Sequence, residues 1–315
     1  MYLSLDLEKV MVEWIMVLAV VFAGLNNIIL RFLANTRIKY NAFLFNSIMM
    51  VVWILILLSM GGIKGVTEVT ILYSFLYGLI TCGFIFFKNA ALTNGPISIT
   101  SLIGGSSFIF TTIFNSIYFK DNVKIIQIIG MVVMVIAVVL VNFPQKTGEK
   151  TTLKWKILCA IFFVFAGLVG IIFRFHQIDD KAHTNEMMII ASAFATIMLL
   201  AMYGVSKIIK KVKNAKLEIV EEKQKISAKT VWIIIAFAVA SGIVSCVYNR
   251  CNIFLSGAMP TILFSPIFNG ALILVSFVAG LVLFKEKANV VKIIGFVLGI
   301  IAIICSSGVF GLVNF

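Results

Sequence analysis

A lysine stands inside an otherwise apolar stretch of this sequence, in line with aromatic and polar residues. Lys88 follows Tyr77, Thr81 and Phe84 at intervals of 11, 7 and 4 residues, so these side chains share one face of a helix. An ionisable residue inside an apolar helix marks a functional site, in the simplest case as the counter-charge of an anionic ligand group. The alternative is a lysine whose long stem reaches the membrane surface.

Two arginines end copies of one phrase. The residues FAGLNNIILRF at 22–32 return as FAGLVGIIFRF at 165–175. Arg31 and Arg174 each share a helix face with smaller residues of their own copy, which are Gly24 and Asn27 in the first and Gly167 and Gly170 in the second. This face is predicted to look inward, because an arginine in lipid costs roughly 2.5 to 3.5 kcal/mol. Snorkelling of each arginine to the headgroups is the alternative.

A second polar stripe contains Ser241, Ser245, Tyr248 and Asn252, with Asn249 beside it. Unsatisfied polar groups are costly in lipid, so the stripe is predicted either to line a site or to bond neighbouring helices. Further amides, from Asn46, Asn115 and Asn269, lie inside other apolar stretches. Arg250 lies opposite the stripe and is therefore a weaker candidate than Lys88.

Several chemistries have no support in the sequence. Asp and Glu residues occur only near the ends of apolar stretches or between them, which disfavours the proton-driven export of cationic drugs, since such export uses a buried carboxylate. We find no phosphate-binding loop, catalytic dyad or metal-ligand spacing. The protein is therefore not expected to be an enzyme, and no cofactor or metal is expected.

The composition explains why these polar residues stand out. Hydrophobic residues make up 61% of the 315 residues, charged residues make up 12%, and the mean hydropathy is +1.11. That is more apolar surface than one water-soluble core buries, so we predict a multi-pass protein of the plasma membrane with the lipid bilayer as its partner. The net charge of +13 does not indicate nucleic-acid binding, because the basic residues gather at the ends of apolar stretches.

The apolar stretches predict ten transmembrane helices. Their approximate bounds are 12–33, 40–60, 70–92, 97–119, 124–143, 155–175, 185–206, 230–254, 259–284 and 290–311. A polar connection from Pro144 divides the chain into a first repeat of five helices at 1–145 and a second at 146–315. The second repeat contains a basic loop at 207–229.

Phrases along both halves support this division. NGPISITSLI from Asn94 corresponds to SGAMPTILFS from Ser256, and YFKDNVKIIQIIG ending at Gly130 corresponds to LFKEKANVVKIIG ending at Gly295. Because five is an odd number, the second half enters the membrane from the opposite face, so the repeats are inverted. Inverted repeats enclose a site near the midplane and expose it to either side in turn. The predicted fold is therefore all-α and integral to the membrane, with ten helices in two inverted repeats.

These features resemble the drug/metabolite transporter superfamily, and specifically its ten-helix EamA-type members. The resemblance covers residues 12–311 and includes the FKDN and FKEK turns and the segment IIGFVLGIIAI in the last helix. It implies a secondary transporter. The fourth helix lacks the proline often found there in this family and has GGSSF from Gly104, whereas Pro266 lies early in the ninth, so we expect unequal kinks in the two halves.

The orientation has two competing indications. The connections after odd-numbered helices contain 19 of the 26 Lys and Arg residues, which places the 207–229 loop in the cytoplasm and both termini outside. The resemblance implies termini inside. The GxxxG pattern of Gly295 and Gly299 is expected to support packing within the chain, or else a homodimer.

The preferred function is transport of a small polar or amphipathic metabolite, anionic or zwitterionic, such as an amino acid. The predicted substrate-binding residues are Lys88, Tyr77, Thr81, Asn27, Arg31, Arg174, Ser245, Tyr248, Asn249, Asn252, Asn46 and Asn269. One alternative is export of quaternary ammonium or lipophilic cations, held by rings such as those of Tyr77, Trp53 and Tyr248. Another is a membrane scaffold without transport, which uses the 207–229 loop to bind partners or anionic lipid.

Overall fold

The computed structural model describes residues 2–36, 38–121, 124–141, 152–216, 227–285 and 289–307, and within these ranges the secondary structure is helical. The helices are α1 (Tyr2–Asn35), α2 (Ala42–Ser59), α3 (Glu68–Asn94), α4 (Ile97–Gly105), α5 (Phe108–Tyr118), α6 (Ile125–Val141), α7 (Leu153–Ile178), α8 (Thr184–Lys216), α9 (Ala228–Ala258), α10 (Thr261–Val282) and α11 (Val290–Ser307). The repeat boundary near residue 145 and the centre of the basic loop lie outside the described residues.

Seven of the described helices are long and apolar enough to cross a bilayer, by length and composition alone. They are α1 from Val10, α2, α3, α7, α8 to Val212, α9 and α10 from Leu263, and α6 and α11 are shorter apolar helices. Large hydrophobic side chains such as Trp14, Ile197 and Trp232 are exposed on these helices, as expected where lipid replaces water. The protein is an integral membrane protein of the all-α class, as predicted.

The fourth predicted helix is not continuous, which corrects the expected span at 97–119. It consists of α4 and α5, which break at Ser106 and Ser107. Gly104 and Gly105 weaken the helix just before the break, and the amide of Ser107 donates to the Gly104 carbonyl over three residues instead of four. The equivalent helix α10 passes through Pro266 without a break. The two halves therefore differ at this helix, and the unequal kinks stay a prediction.

Each helix of the first half has a counterpart in the second: α1 and α7, α2 and α8, α3 and α9, α4–α5 and α10, and α6 and α11. For several contacts, replacing both helices by their counterparts gives a pair that is also in contact. Thus α1 packs on α9 as α3 packs on α7, α2 packs on α9 as α3 packs on α8, and α1 packs on α10 as α5 packs on α7. Three helix pairs join counterparts directly, α2 with α8, α5 with α10 and α6 with α11. This pattern is typical of two repeats around a pseudo-two-fold axis.

Counterpart helices run in opposite directions. Asn41 at the start of α2 donates to Ser206 late in α8, and Asn185 at the start of α8 donates to the carbonyl of Leu57 at the end of α2. The α6–α11 pair is antiparallel too, because Gly295 meets Val141 and Gly299 meets Ala137. We call the face where α1, α3, α6, α8 and α10 end the basic face, since 19 of the 26 Lys and Arg residues lie toward the ends of these helices, in the connections after them or in the first turn of the next helix.

Close packing of α6 on α11 depends on a glycine of the GxxxG pattern. A Cβ atom on Gly295 would lie 2.7 Å from the Leu140 Cβ and 2.7 Å from the backbone nitrogen of Val141. The glycine pattern therefore serves contacts within one chain. A Cβ atom on Gly204 in α8 would have no neighbouring atom within 4 Å.

We expect Gly295→Ala to destabilise the protein by about 1–3 kcal/mol, because the α6 backbone must move away. Gly204→Ala is the matched control and is expected to stabilise its helix by about 1 kcal/mol. Thermal unfolding of both purified variants in detergent measures the difference. Equal melting temperatures would show that α6 and α11 do not pack as described.

Candidate functional site

A cavity of about 360 Å³ lies between the two halves, near the middle of the spans. Its wall is formed by α1, α2, α3 and α5 from the first half and by α7, α9 and α10 from the second, with α4 contributing Gly104. The volume is in the range of small-molecule sites. Nine predicted site residues line it: Asn27, Asn46, Tyr77, Thr81, Ser245, Tyr248, Asn249, Asn252 and Asn269.

The three basic residues predicted for the site are not among the residues that line the cavity, and their contact with a solute stays a prediction. Lys88 is exposed, and its Nζ lies 5.4 Å from the ring centre of Phe84, one turn nearer the basic face than the cavity. The stripe from Tyr77 to Lys88 is about 16 Å long at about 1.5 Å per residue. The lining residues of α3 end at Ile85, so Lys88, the last member of the stripe, lies beyond them.

Arg31 and Arg174 lie nearer the ends of their helices. The Arg31 guanidinium carbon is 4.7 Å from the ring centre of Phe284 at the basic face, whereas Arg174 pairs with Asp121 at the opposite face. Each arginine therefore contacts protein groups between the cavity and one membrane surface. Arg250 also points elsewhere, since its Nη1 donates to Asn185 Oδ1 over 2.7 Å.

The polar stripe of α9 divides into a structural part and a cavity part. Ser241 donates to Asn26 Oδ1 in α1, and Ser245 Oγ accepts the indole N–H of Trp53 over 2.9 Å. These buried bonds hold α9 against α1 and α2. Some members of the stripe therefore bond neighbouring helices, whereas others line the cavity. Asn26 also lines the cavity but was not among the predicted site residues, although its place beside Asn27 in the repeated phrase was visible in the sequence.

Three cavity asparagines present their carbonyl oxygens. The Nδ2 groups of Asn46, Asn249 and Asn269 donate to the backbone carbonyls of Ala42, Ser245 and Ser265, four residues earlier. A carbonyl only accepts, so the group that faces it must be the NH₂. Among the described residues these hydrogen bonds use the Nδ2 groups alone, so each Oδ1 can accept a hydrogen bond from a solute. The cavity wall thus offers fixed hydrogen-bond acceptors from α2, α9 and α10.

Aromatic rings cover much of the remaining wall. The rings of Tyr77 and Phe173 meet edge to face, with centroids 5.1 Å apart, and those of Phe264 and Phe268 stack at 5.7 Å. Phe268 and Thr111, which also line the cavity, were not predicted as site residues, because single aromatic or hydroxyl residues in apolar helices give no distinctive signal. No Asp, Glu, Lys, Arg or His is among the described lining residues. The site combines apolar rings with uncharged polar groups.

We expect Ser245→Ala to destabilise the protein by about 1–3 kcal/mol, because the buried indole N–H of Trp53 loses its acceptor. In a Trp53→Phe background the same change should have a much smaller effect, since no indole N–H is left unpaired. Thermal unfolding of the two single variants and the double variant gives the coupling. If the stability losses of the two single variants simply add in the double variant, the hydrogen bond between Trp53 and Ser245 is contradicted.

Comparisons with known proteins agree with this architecture. The profile of the EamA-like transporter family matches residues 10–143. No match was found among curated proteins. A crystal structure of another protein aligns with a TM-score of 0.70 over 94% of this chain and 96% of that chain, at 13% identity. At this identity the likeness shows the fold alone. Residues 10–143 are therefore similar to the EamA-like transporter family, and this similarity agrees with the helical membrane fold described above.

Proposed function

We propose that the protein is a secondary transporter of the plasma membrane that carries a small organic solute by alternating access. The observation that carries this proposal is the cavity at mid-span, which is lined by helices of both halves and by groups suited to a solute. Counterpart helices that run in opposite directions support the proposal, because inverted repeats allow a central site to open to either side. The same cavity favours transport over a scaffold role, which needs no enclosed polar site.

The lining favours solutes that donate hydrogen bonds or carry a delocalised positive charge. The oxygens of Asn46, Asn249 and Asn269 accept hydrogen bonds, and the faces of aromatic rings attract cations. An anion would meet these oxygens without a basic residue in the described lining. We therefore replace the expected anionic or zwitterionic substrate by a neutral or cationic one with an apolar body. The alternative of quaternary ammonium export is kept, since the rings favour such cations.

Four probes with a common ring separate these classes: benzylamine, benzamide, benzyltrimethylammonium and benzoate. We expect the first two to raise the melting temperature of the purified protein and benzoate to have no effect. Stabilisation by benzyltrimethylammonium alone would assign recognition to the rings and not to the asparagine oxygens. A probe that binds is then tested by counterflow in vesicles, where absence of exchange in protein that binds it would contradict transport.

We expect Asn269→Leu to weaken binding of benzylamine about three- to tenfold, because one hydrogen bond to the ligand is lost. Lys88→Gln is the matched control and should leave the affinity unchanged, since Lys88 lies outside the lining. Titration followed by thermal shift measures both. Strong binding of benzoate that disappears in Lys88→Gln would restore the anionic assignment and contradict this one.

A further inference from the structure

Arg174 connects several helix ends at the face opposite the basic face. Its Nη1 donates to the carbonyls of Ser256 and Met259, where α9 ends and α10 begins, with 2.8 Å to Met259. Its Nη2 lies 3.5 Å from Asp121 Oδ1, in the turn after α5. We call these four residues the Arg174 cluster. Because Arg174 itself belongs to α7, the cluster joins the turn after α5 and the α9–α10 turn to α7.

The Arg174 cluster is largely buried and is packed between several helices. The side chains of Arg174 and Asp121 are only 12% and 8% exposed. The guanidinium also lies over the ring of Phe119, 5.5 Å from its centre, and this ring packs against Phe175. Beside the cluster, Asn115 of α5 donates to Thr261 of α10 over 3.2 Å. Charged, aromatic and amide contacts thus join α5, α7 and α10 at one place.

The cavity is more enclosed toward this face than toward the basic face. Three helices show the trend, with a buried lining residue nearer the Arg174 cluster and a half-buried one further away: Tyr77 and Thr81 in α3, Phe173 and Ala166 in α7, and Phe264 and Leu272 in α10. In α9 the order is reversed, since Ser245 is buried and Asn252, nearer the cluster, is half-buried. Lys88, beyond the cavity toward the basic face, is exposed. The Arg174 cluster therefore lies at the closed end of the cavity.

The counterpart turn at the basic face repeats part of this arrangement. Phe119 and Phe284 occupy the same place in the repeated phrases, and each lies under the arginine of the other half. The lysine that follows each ring has an unusual positive φ, 52° at Lys120 and 51° at Lys285. Non-glycine residues rarely adopt such values. Their recurrence indicates that the packing of an arginine over the phenylalanine of this turn is a property of both repeats.

The cluster is not fully satisfied. Arg174 Nε and Asp121 Oδ2 are buried and have no hydrogen-bond partner in the described structure. A buried polar atom without a partner loses free energy that it regains on contact with water. The free energy needed to separate Arg174 from Asp121 is therefore smaller than it would be for a fully hydrogen-bonded pair. A small separation energy suits a contact that breaks in every transport cycle.

We propose that Arg174 is a positioning residue that holds this end of the cavity closed, and that its release from Asp121 and from the two carbonyls opens the cavity to this face. The inference rests on the proposed transport function. It assigns Arg174 a role in access to the cavity and none in direct contact with the solute.

Hydrogen–deuterium exchange of the whole protein in detergent, without solute, tests the inference. In Arg174→Gln we expect amides of residues 119–121 and 256–265 to exchange roughly ten- to a hundredfold faster, from the loss of charge-assisted hydrogen bonds. Asp121→Asn should act at the same residues, and the double variant should add little to either single change. Exchange in α2 and α8 should be unchanged and reports that the variants are folded.

Arg250→Gln is the matched control, because Arg250 approaches the same face but its Nη1 donates to Asn185, which lies outside the Arg174 cluster. It should leave exchange at 119–121 and 256–265 unchanged. If Arg174→Gln does not fold, Arg174→Lys replaces it, since one ammonium group cannot bridge all three acceptors as the guanidinium does. Unchanged exchange at both turns, or an increase spread evenly over all helices, would overturn the inference. Since no solute is present, that result overturns the role of Arg174 alone, whereas failed counterflow overturns transport alone.

Discussion

Lipid offers no hydrogen bonds, and this constraint decides where the polar groups of the protein lie. Asn46, Asn249 and Asn269 meet it by donating to their own helices, which leaves their carbonyl oxygens for the cavity. Trp53 and Ser245 meet it across two helices. The same constraint concentrates charge at the helix ends, where Arg174 finds a carboxylate and two backbone carbonyls.

The paired arrangement of the two halves fits the proposed transport cycle. Counterpart helices pack on equivalent partners, so neither half alone completes the cavity wall. In the proposed transport cycle, a relative movement of the halves would change access to the cavity without exposing its polar groups to lipid. The uncharged lining fits such a cycle, because no charged side chain of the described lining has to be neutralised as the cavity changes sides.

The sequence predicted the helices and the inner faces well, because apolar length and the 3.6-residue period act locally. Nine polar positions assigned to the site line the cavity, although their binding of a solute stays a prediction. Lys88, Arg31 and Arg174 lie outside the lining of this cavity, since helical period fixes the face of a residue but not its depth relative to a cavity that several helices form. The break at Ser106 was suggested only by the unusual GGSS segment.

The central claim is that the cavity between the halves is reached from both sides of the membrane. The most direct measurement is the reaction of a single cysteine, Asn269→Cys, with an impermeant thiol reagent added to either side of oriented vesicles, after the five native cysteines are replaced. The account predicts reaction from both sides, faster from the basic face. Reaction from one side only, or from neither, would contradict it.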